Sequence, residues 1–577
     1  MIRYIKKYYE VLGNKIIILL IIMQTAALIE GFGISLILPI IQNEELENNR
    51  LLQFFDWMFN LINLDQSLIN MLIVLIVFFI LRAIILVFQS WFQAEIISNN
   101  LINMRKNLVL SLIHSDYKFI NTQNRGTISN VLNNEIERVN FALDQLLAFI
   151  VSFITAMVYL LVALIISPVV TIFLAILSIP IGLIMLRLNR MTSKSSKALT
   201  DGSNKQQNFV LEIIENIKYL KSTGQYPGIS KKISTEIVNV GKAYRKLKFI
   251  QSSSTFLFEP LIVVIMAILI YFFTEVRKSN IIEILFLLFI FRQAAINLVA
   301  TQAPYRKFIS SVGSMEIYFK LQRKLDDNLE NLSPNGDDPN FNTVLKLKNI
   351  SYSYKNEKAL NNISLEIKPK TTVAFVGSSG SGKSTTANII SSLLKPETGN
   401  FMMGEKDISD INLSKYREKI GYVTQESVVF NTSIQENISL WRKKLNFKKL
   451  ENIIDQTGLS HLFENNKNVN DSGNNLSGGE RQRLSLAREL YRDSELLILD
   501  EATSSVDSIL ESQIETIISK QKNDKTIIII AHRLSTIKSA DMIYVFDNGQ
   551  IVESGKFDEL IQHNGIFTNL AKKQNFN

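Results

Sequence analysis

Lys383 and Ser384 close the run Gly377, Ser378, Ser379, Gly380, Ser381, Gly382, Lys383, Ser384 and Thr385, which reads GxxxxGKS/T. Glycines at this spacing let successive backbone N–H groups turn toward one anion, and a following helix aims its positive end at the same point. Lys383 is placed to reach the β- and γ-phosphates of a nucleotide, and Ser384 to ligate Mg²⁺. Further on, Leu496-Leu-Ile-Leu-Asp500 is an apolar strand ending in a carboxylate suited to the Mg²⁺ shell. Glu501 follows directly as a candidate general base for an attacking water. A second anion cradle lies between them. Leu476-Ser477-Gly478-Gly479-Glu480 offers the Ser477 hydroxyl and two glycine amides at the start of a helix expected from Glu480 to Tyr491. One bound nucleotide needs one phosphate cradle, and this chain carries two.

These residues need strands and helices to hold them, and the sequence supplies both. Thr372–Val376 leads into Gly377 and Leu496–Leu499 into Asp500, so strand, loop and helix follow in the order a phosphate loop requires. The preceding stretch Asp326–Thr343 is acidic, Asn-rich and contains two prolines, as expected of a linker. Ahead of it the composition changes. Six windows (Lys15–Ile41, Ile69–Phe92, Phe141–Ile166, Pro168–Leu188, Phe256–Thr274 and Ile281–Thr301) are long and apolar enough to cross a membrane. Each bilayer crossing needs about 20 residues for about 30 Å of hydrocarbon. The first window follows Arg3, Lys6 and Lys7 as a signal peptide would, but its length and the later spans favour an anchor.

Lys and Arg set the orientation. Arg105, Lys106, Lys118, Arg125 and Arg138 lie between spans two and three, and Arg187, Arg190, Lys194, Lys197 and Lys205 between four and five. The opposite loop carries Glu44, Glu45 and Glu47, so both termini are expected in the cytoplasm. The same basic loops account for the net charge of +9 better than nucleic acid does. The long inner connections keep helical periodicity, and at 1.5 Å per residue their helices would extend well beyond the bilayer. The outer segment Leu51–Leu64 places Leu51, Phe55, Met58 and Ile62 on one helical face. It reads either as an interfacial helix or as one packed on the protein's own outer ends. With no cysteine and four scattered histidines, disulfides, thiolate metal sites and a zinc centre are not expected.

Phosphate loop, LSGGE, LLILDE and a downstream His532 resemble the nucleotide-binding domain of ATP-binding cassette (ABC) transporters. The spans ahead resemble the exporter type, in which a six-helix α-helical membrane domain (1–325) is joined by a linker (326–343) to an α/β P-loop ATPase domain (344–577). The resemblance implies further roles. Tyr354, with Tyr352 as alternative, would stack on adenine, and Gln425 in YVTQE would contact Mg²⁺ and water. Asp507 would sit in the D-loop, and His532 would contact the γ-phosphate. The D-loop reads SSVD where SALD is common, and Asn470-Asp471-Ser472-Gly473 has Asn where the family's X-loop usually has Gly. The resemblance also explains the second cradle: LSGGE of one copy meets ATP on the phosphate loop of another. A homodimer is therefore expected, with a heterodimer as alternative. His114–Gln123 and Leu211–Leu220 match the two coupling-helix positions. Tyr117 and Phe119 would dock near Gln425, or serve as ordinary core aromatics.

A few charged residues sit where hydrocarbon is expected, among them Glu30, Arg82, Glu259 and Arg292. Arg82 and Arg292 are candidate ligands for substrate phosphate, or partners of Glu30 and Glu259 in ion pairs. Ala27–Ile41 and Phe78–Ile84 resemble bacterial flippases of lipid-linked oligosaccharides. The expectation is therefore an inner-membrane, ATP- and Mg²⁺-dependent translocase of a lipid-linked glycan or similar amphiphile. The alternative is a multidrug or hydrophobic-peptide exporter. A leader-peptide-processing exporter is excluded in its usual form, lacking a peptidase domain and a nucleophilic Cys. A nutrient importer would keep its two domains on separate chains. A soluble, non-transport ABC ATPase acting on nucleic acid is disfavoured by the spans.

Overall fold

The computed structural model describes residues 6, 8–10, 12–41, 50–276, 281–354, 357–442, 444–464, 476–500, 516, 521, 524–531, 537–563 and 565–573. The chain divides into two compact units, Met1–Ile113 with Asn124–Asp327, and His114–Gln123 with Asn328–Asn577.

The first unit is helical: α1 (Asn14–Ser35), α2 (Arg50–Leu61), α3 (Leu68–Ile113), α4 (Ile136–Ile166), α5 (Pro168–Glu215), α6 (Tyr226–Tyr271), α7 (Ile281–Ala300) and α8 (Gln302–Asp326). Apolar and amphipathic runs join in single helices, with Pro180 inside α5 and Pro260 inside α6, so α3, α5 and α6 reach 46, 48 and 46 residues. That is about 70 Å, more than twice a bilayer core. Among the described residues five helices are long and apolar enough to cross a membrane. The remaining expected window, Phe256–Thr274, falls mostly in α6, where several side chains lie outside the described set.

The core of this unit gathers Ile34, Leu36, Tyr159, Leu269, Leu287 and Ile290 with Phe55 and Phe59 of α2. Helix α2 thus packs on its own unit through Phe55 and Phe59, one turn apart, while Trp57 and Leu61 are 59% and 68% exposed. Of the face read from the sequence, Phe55 is buried and Met58 packs against this core, the Leu51 side chain lies outside the described set, and Ile62 follows the helix end and is exposed.

The second unit holds two sheets. One is antiparallel, in order β2-β1-β4-β5. The other runs β10-β9-β3-β8-β7-β6, with parallel pairing throughout except β10 against β9. The strands are β1 (Leu345–Tyr354), β2 (Glu357–Ile367), β3 (Thr372–Gly377), β4 (Thr398–Met403), β5 (Lys406–Asp407), β6 (Ile420–Val423), β7 (Leu496–Asp500), β8 (Thr526–Ile530), β9 (Met542–Asp547) and β10 (Gln550–Gly555). Every residue of β7 and β8 is buried, which is why both read as unbroken apolar runs. The carboxyl ends of β3 and β7 deliver Gly377 and Asp500.

The stretch read as a linker is tied down. Asn412 donates through Nδ2 to the Pro334 carbonyl at 2.9 Å, and Ser333 Oγ donates to the Ser409 carbonyl at 2.9 Å. Asp337 forms a bridge with Ile411. Polar composition predicted exposure. It did not predict that the polar groups find partners along residues 406–417.

Candidate active site

The phosphate loop leaves β3 at Gly377 with φ +149° and turns through Gly380 (φ +78°) and Gly382 (φ +106°) into α9 (Lys383–Ile390). Two of these glycines are also required by space. A Cβ on Gly377 would lie 2.1 Å from the Phe546 carbonyl, and one on Gly382 would lie 2.6 Å from Leu360. The loop curls around the Lys383 ammonium. Its Nζ donates to the carbonyls of Gly377 (2.9 Å) and Ser378 (2.6 Å) and approaches Ser381 Oγ at 3.4 Å. Lys383 is 5% exposed, so the charge is held inside the loop it serves.

Ser384 Oγ donates to Asp500 Oδ1 at 3.3 Å, joining the first turn of α9 to the end of β7. The other Asp500 oxygen, Oδ2, lies 3.5 Å from the Tyr422 hydroxyl, which also lies 3.3 Å from Asn388 Oδ1. Burial, reinforced by the neighbouring Asp500 carboxylate, pushes the Tyr422 phenol well up, so it stays a neutral donor. A hydroxyl and a carboxylate meeting at one point are hard oxygen donors, and this set fits Mg²⁺, which takes few protein ligands and completes its shell with phosphate and water.

Gln425 is exposed and lines a cavity of about 540 Å³ with Tyr117, Arg417, Tyr422 and Asp500. Of the two tyrosines considered for adenine, Tyr352 is fully buried and Tyr354 is 37% exposed, with rings edge to face at 5.0 Å. Only Tyr354 has a face to offer. Burial, with Tyr354, Glu397 and Asp116 nearby, pushes the Tyr352 phenol up to about 12. Glu501, Asp507, His532 and the Asn470–Gly473 stretch lie outside the described residues.

The second cradle opens α10 (Gly478–Tyr491), two residues earlier than expected. Ser477 is its N-cap and accepts from Glu480 N at 3.2 Å, while Glu480 Oε2 accepts from Ser477 N at 2.7 Å. This capping box is announced by the S-x-x-E spacing. His461 Nε2 lies 3.0 Å from Glu480 Oε1. Burial alone would raise the Glu480 carboxyl. The Ser477 and His461 hydrogen bonds outweigh it and hold the group down at about 2. Glu480, the last residue of LSGGE, is therefore turned back on its own helix, where it fixes Ser477.

In the first unit Arg82 Nη2 pairs with Glu30 Oε2 at 2.8 Å, and the Tyr159 hydroxyl donates to Glu30 Oε1 at 2.8 Å. The ion-pair alternative accounts for Glu30 and Arg82. Arg292 on α7 is exposed in the single chain, and the Glu259 side chain lies outside the described set.

Residues 15–298 match the family model described as ABC transporter transmembrane region, and residues 360–504 the one described as ABC transporter. The chain belongs to the ABC transporters, as a fused half-transporter of the exporter type. Among curated relatives of the family, an ATP-dependent lipid A-core flippase of Saccharophagus degradans is 26% identical over 86% of both chains. One of Haemophilus influenzae is 36% identical over 48% of both chains. A beta-(1-->2)glucan export ATP-binding/permease protein of Rhodopseudomonas palustris is 37% identical over 40% of both. Against the mouse ATP-binding cassette sub-family B member 5 the match spans 20% of the relative, so the chain covers half or less of most of these relatives. A bacterial Atm1-family ABC exporter with ATP bound shares the fold, with a TM-score of 0.74, 19% identity and 98% of each chain covered.

Proposed function

We propose that this half-transporter hydrolyses Mg²⁺-ATP at sites shared between two copies and uses the cycle to flip or export an amphiphile built on a lipid-linked glycan. The observation that carries the reading is the meeting of Ser384 and Asp500 at the mouth of the phosphate loop, in a chain that carries a second anion-binding helix start at Ser477-Gly478-Gly479. Mg²⁺ bound there would neutralise charge on the transferring phosphate. Lys383 would orient the phosphates, Tyr354 the adenine and Gln425 the water, with Glu501 as base and His532 at the γ-phosphate. Asp507 would act across the shared boundary.

Six spans, cytoplasmic ATPase domains and an inner-membrane location complete the proposal, with 1–325, 326–343 and 344–577 as working domain bounds. The names of the flippase and glucan-export relatives support a glycan-bearing substrate. Arg82 is left out of the substrate site because Glu30 already neutralises it. Arg292 remains as the anion ligand, and two copies would contribute two. The test is ATPase stimulation in proteoliposomes by polyprenyl-diphosphate glycans against cationic drugs. Stimulation by the glycans, reduced about tenfold by Arg292→Ala, is expected for an Arg–phosphate contact. Stimulation by drugs alone would replace the lipid-glycan reading with the multidrug one.

A further inference from the structure

The segment His114–Gln123 belongs with the second unit, and its partner there is the strap that begins at Asn328. Ser115 and Leu329 form an antiparallel bridge. Asp116 N donates to the Asn328 carbonyl at 2.9 Å, and Glu330 N donates to the His114 carbonyl at 2.8 Å. Both bonds flank Ser115 and Leu329, so these two form the narrow, non-hydrogen-bonded type of pair, about 4.5 Å between Cα atoms. Asp116 then caps the short helix Tyr117–Thr122 by accepting from Lys118 N at 2.7 Å. Lys118 Nζ sits 3.4 Å from Glu397 Oε1 and 5.0 Å over the Tyr352 ring.

The strap has its own anchor. Glu330 and Arg417 are joined by two parallel bonds, Nη1 to Oε2 at 2.8 Å and Nη2 to Oε1. Arg417 Nη2 also donates to the Ser392 carbonyl. Their side chains are 25% and 19% exposed (Arg417 and Glu330), so the fork is shielded enough to be more than a surface pair. Arg417 lines the same cavity as Tyr117, Gln425 and Asp500. From Glu330 the chain thus runs one way to the cavity wall and the other way, through a single β-bridge, to the helix that presents Tyr117.

We propose that the strap is a positioning element for transmission between nucleotide site and membrane domain, with Glu330 as its key residue. Residues 114–123 and 328–330 move as one body with the cassette throughout the cycle, and Glu330 sets where Tyr117 meets the Gln425 cavity. This rests on the reading above that nucleotide state is passed to the membrane through His114–Gln123.

The chain has no cysteine, so Ser115→Cys with Leu329→Cys in the full-length protein creates one possible disulfide. The pair lies within the roughly 4.4–6.8 Å Cα range that a disulfide accepts. It should form both without nucleotide and after ATP–vanadate trapping, and the oxidised protein should keep its ATPase within twofold of the same sample reduced. Absence of the disulfide in both states, or a tenfold loss on oxidation restored by reductant, overturns the single-body proposal. The positioning role has a separate readout. With Trp441→Phe, the remaining tryptophans, Trp57 and Trp91, both belong to the first unit and are 59% and 60% exposed. Glu330→Gln should leave basal ATPase unchanged and cut the ATP–vanadate-induced change in their acrylamide quenching by at least half, and Glu330→Asp should recover most of it. An unchanged quenching response in Glu330→Gln overturns the role. Loss of ATP hydrolysis in the unmodified chain would sink the functional reading instead, while disulfide yield would still report on the strap.

Discussion

Ser384 and Asp500 lie 116 positions apart in sequence and meet at 3.3 Å, because parallel strands β3 and β7 flank β8 and release both residues at the same edge of the sheet. Loss of either oxygen donor should therefore act through the metal. Ser384→Ala and Asp500→Asn should each lower ATPase by roughly 100-fold or more, about 3 kcal/mol of transition-state stabilisation. ATPase titrated against Mg²⁺ at fixed ATP checks this.

Tyr422 stands behind that pair. Its hydroxyl spans Asn388 and Asp500 at 3.3 and 3.5 Å, so Tyr422→Phe removes a support of the carboxylate and keeps the ring. Supports of this kind are worth about 10-fold or more in metal affinity. We expect weaker Mn²⁺ binding by electron paramagnetic resonance in the presence of nucleotide, with the thermal midpoint unchanged. Equal Mn²⁺ affinity in both proteins would assign the tyrosine to packing alone.

The Glu480 carboxyl, held at about 2 by Ser477 and His461 against the cost of burial, stabilises the fold in its charged form. The sign follows from its lowered value. Its contribution is complete above the unfolded value, near 4.3, and is lost as pH falls from there through about 2. Glu480→Gln should flatten the fall in thermal stability across that window and leave behaviour at pH 7 to 8 parallel to wild type. Ser477→Ala should cost about 1 kcal/mol by loss of the cap, measured by thermal unfolding at neutral pH.

Glu30 and Arg82 form an ion pair with side chains 18% and 28% exposed, supported by Tyr159. Removing one partner strands the other. Arg82→Ala or Glu30→Ala should each destabilise the detergent-solubilised protein by about 2 kcal/mol, somewhat below the roughly 3–5 kcal/mol of a fully buried pair. The double variant Glu30→Met with Arg82→Met should be more stable than either single one.

Sequence made the cassette legible because its chemistry is local. GxxxxGKS needs only consecutive residues, and the apolar strand before Asp500 is read from five positions. The helix start at Gly478 is also written locally, in the capping-box spacing Ser477-x-x-Glu480. What sequence left open is pairing at a distance. It paired Arg82 with Glu30 and Arg292 with Glu259 but left open whether the arginines bind substrate instead, since helix rotation decides that. It read 326–343 as a linker because polarity and proline mark exposure, while the bonds of Ser333, Pro334 and Asp337 run mostly to backbone groups some 75 residues away, which leave no compositional trace. Phe55 and Phe59 show the same limit: the apolar period of α2 was plain, but its buried face depended on the neighbours it met.

The central claim is that Ser477 of one copy completes the nucleotide site of the other. Two purified mixed dimers separate the possibilities. One joins a Lys383→Ala chain to a Ser477→Arg chain, and the other joins a chain carrying both substitutions to an unmodified one. For shared sites, the first dimer keeps one intact site and should hydrolyse ATP at up to about half the wild-type rate, and the second should be inactive. An inactive first dimer beside an active second one would place LSGGE and the phosphate loop in the same chain's site and contradict the account.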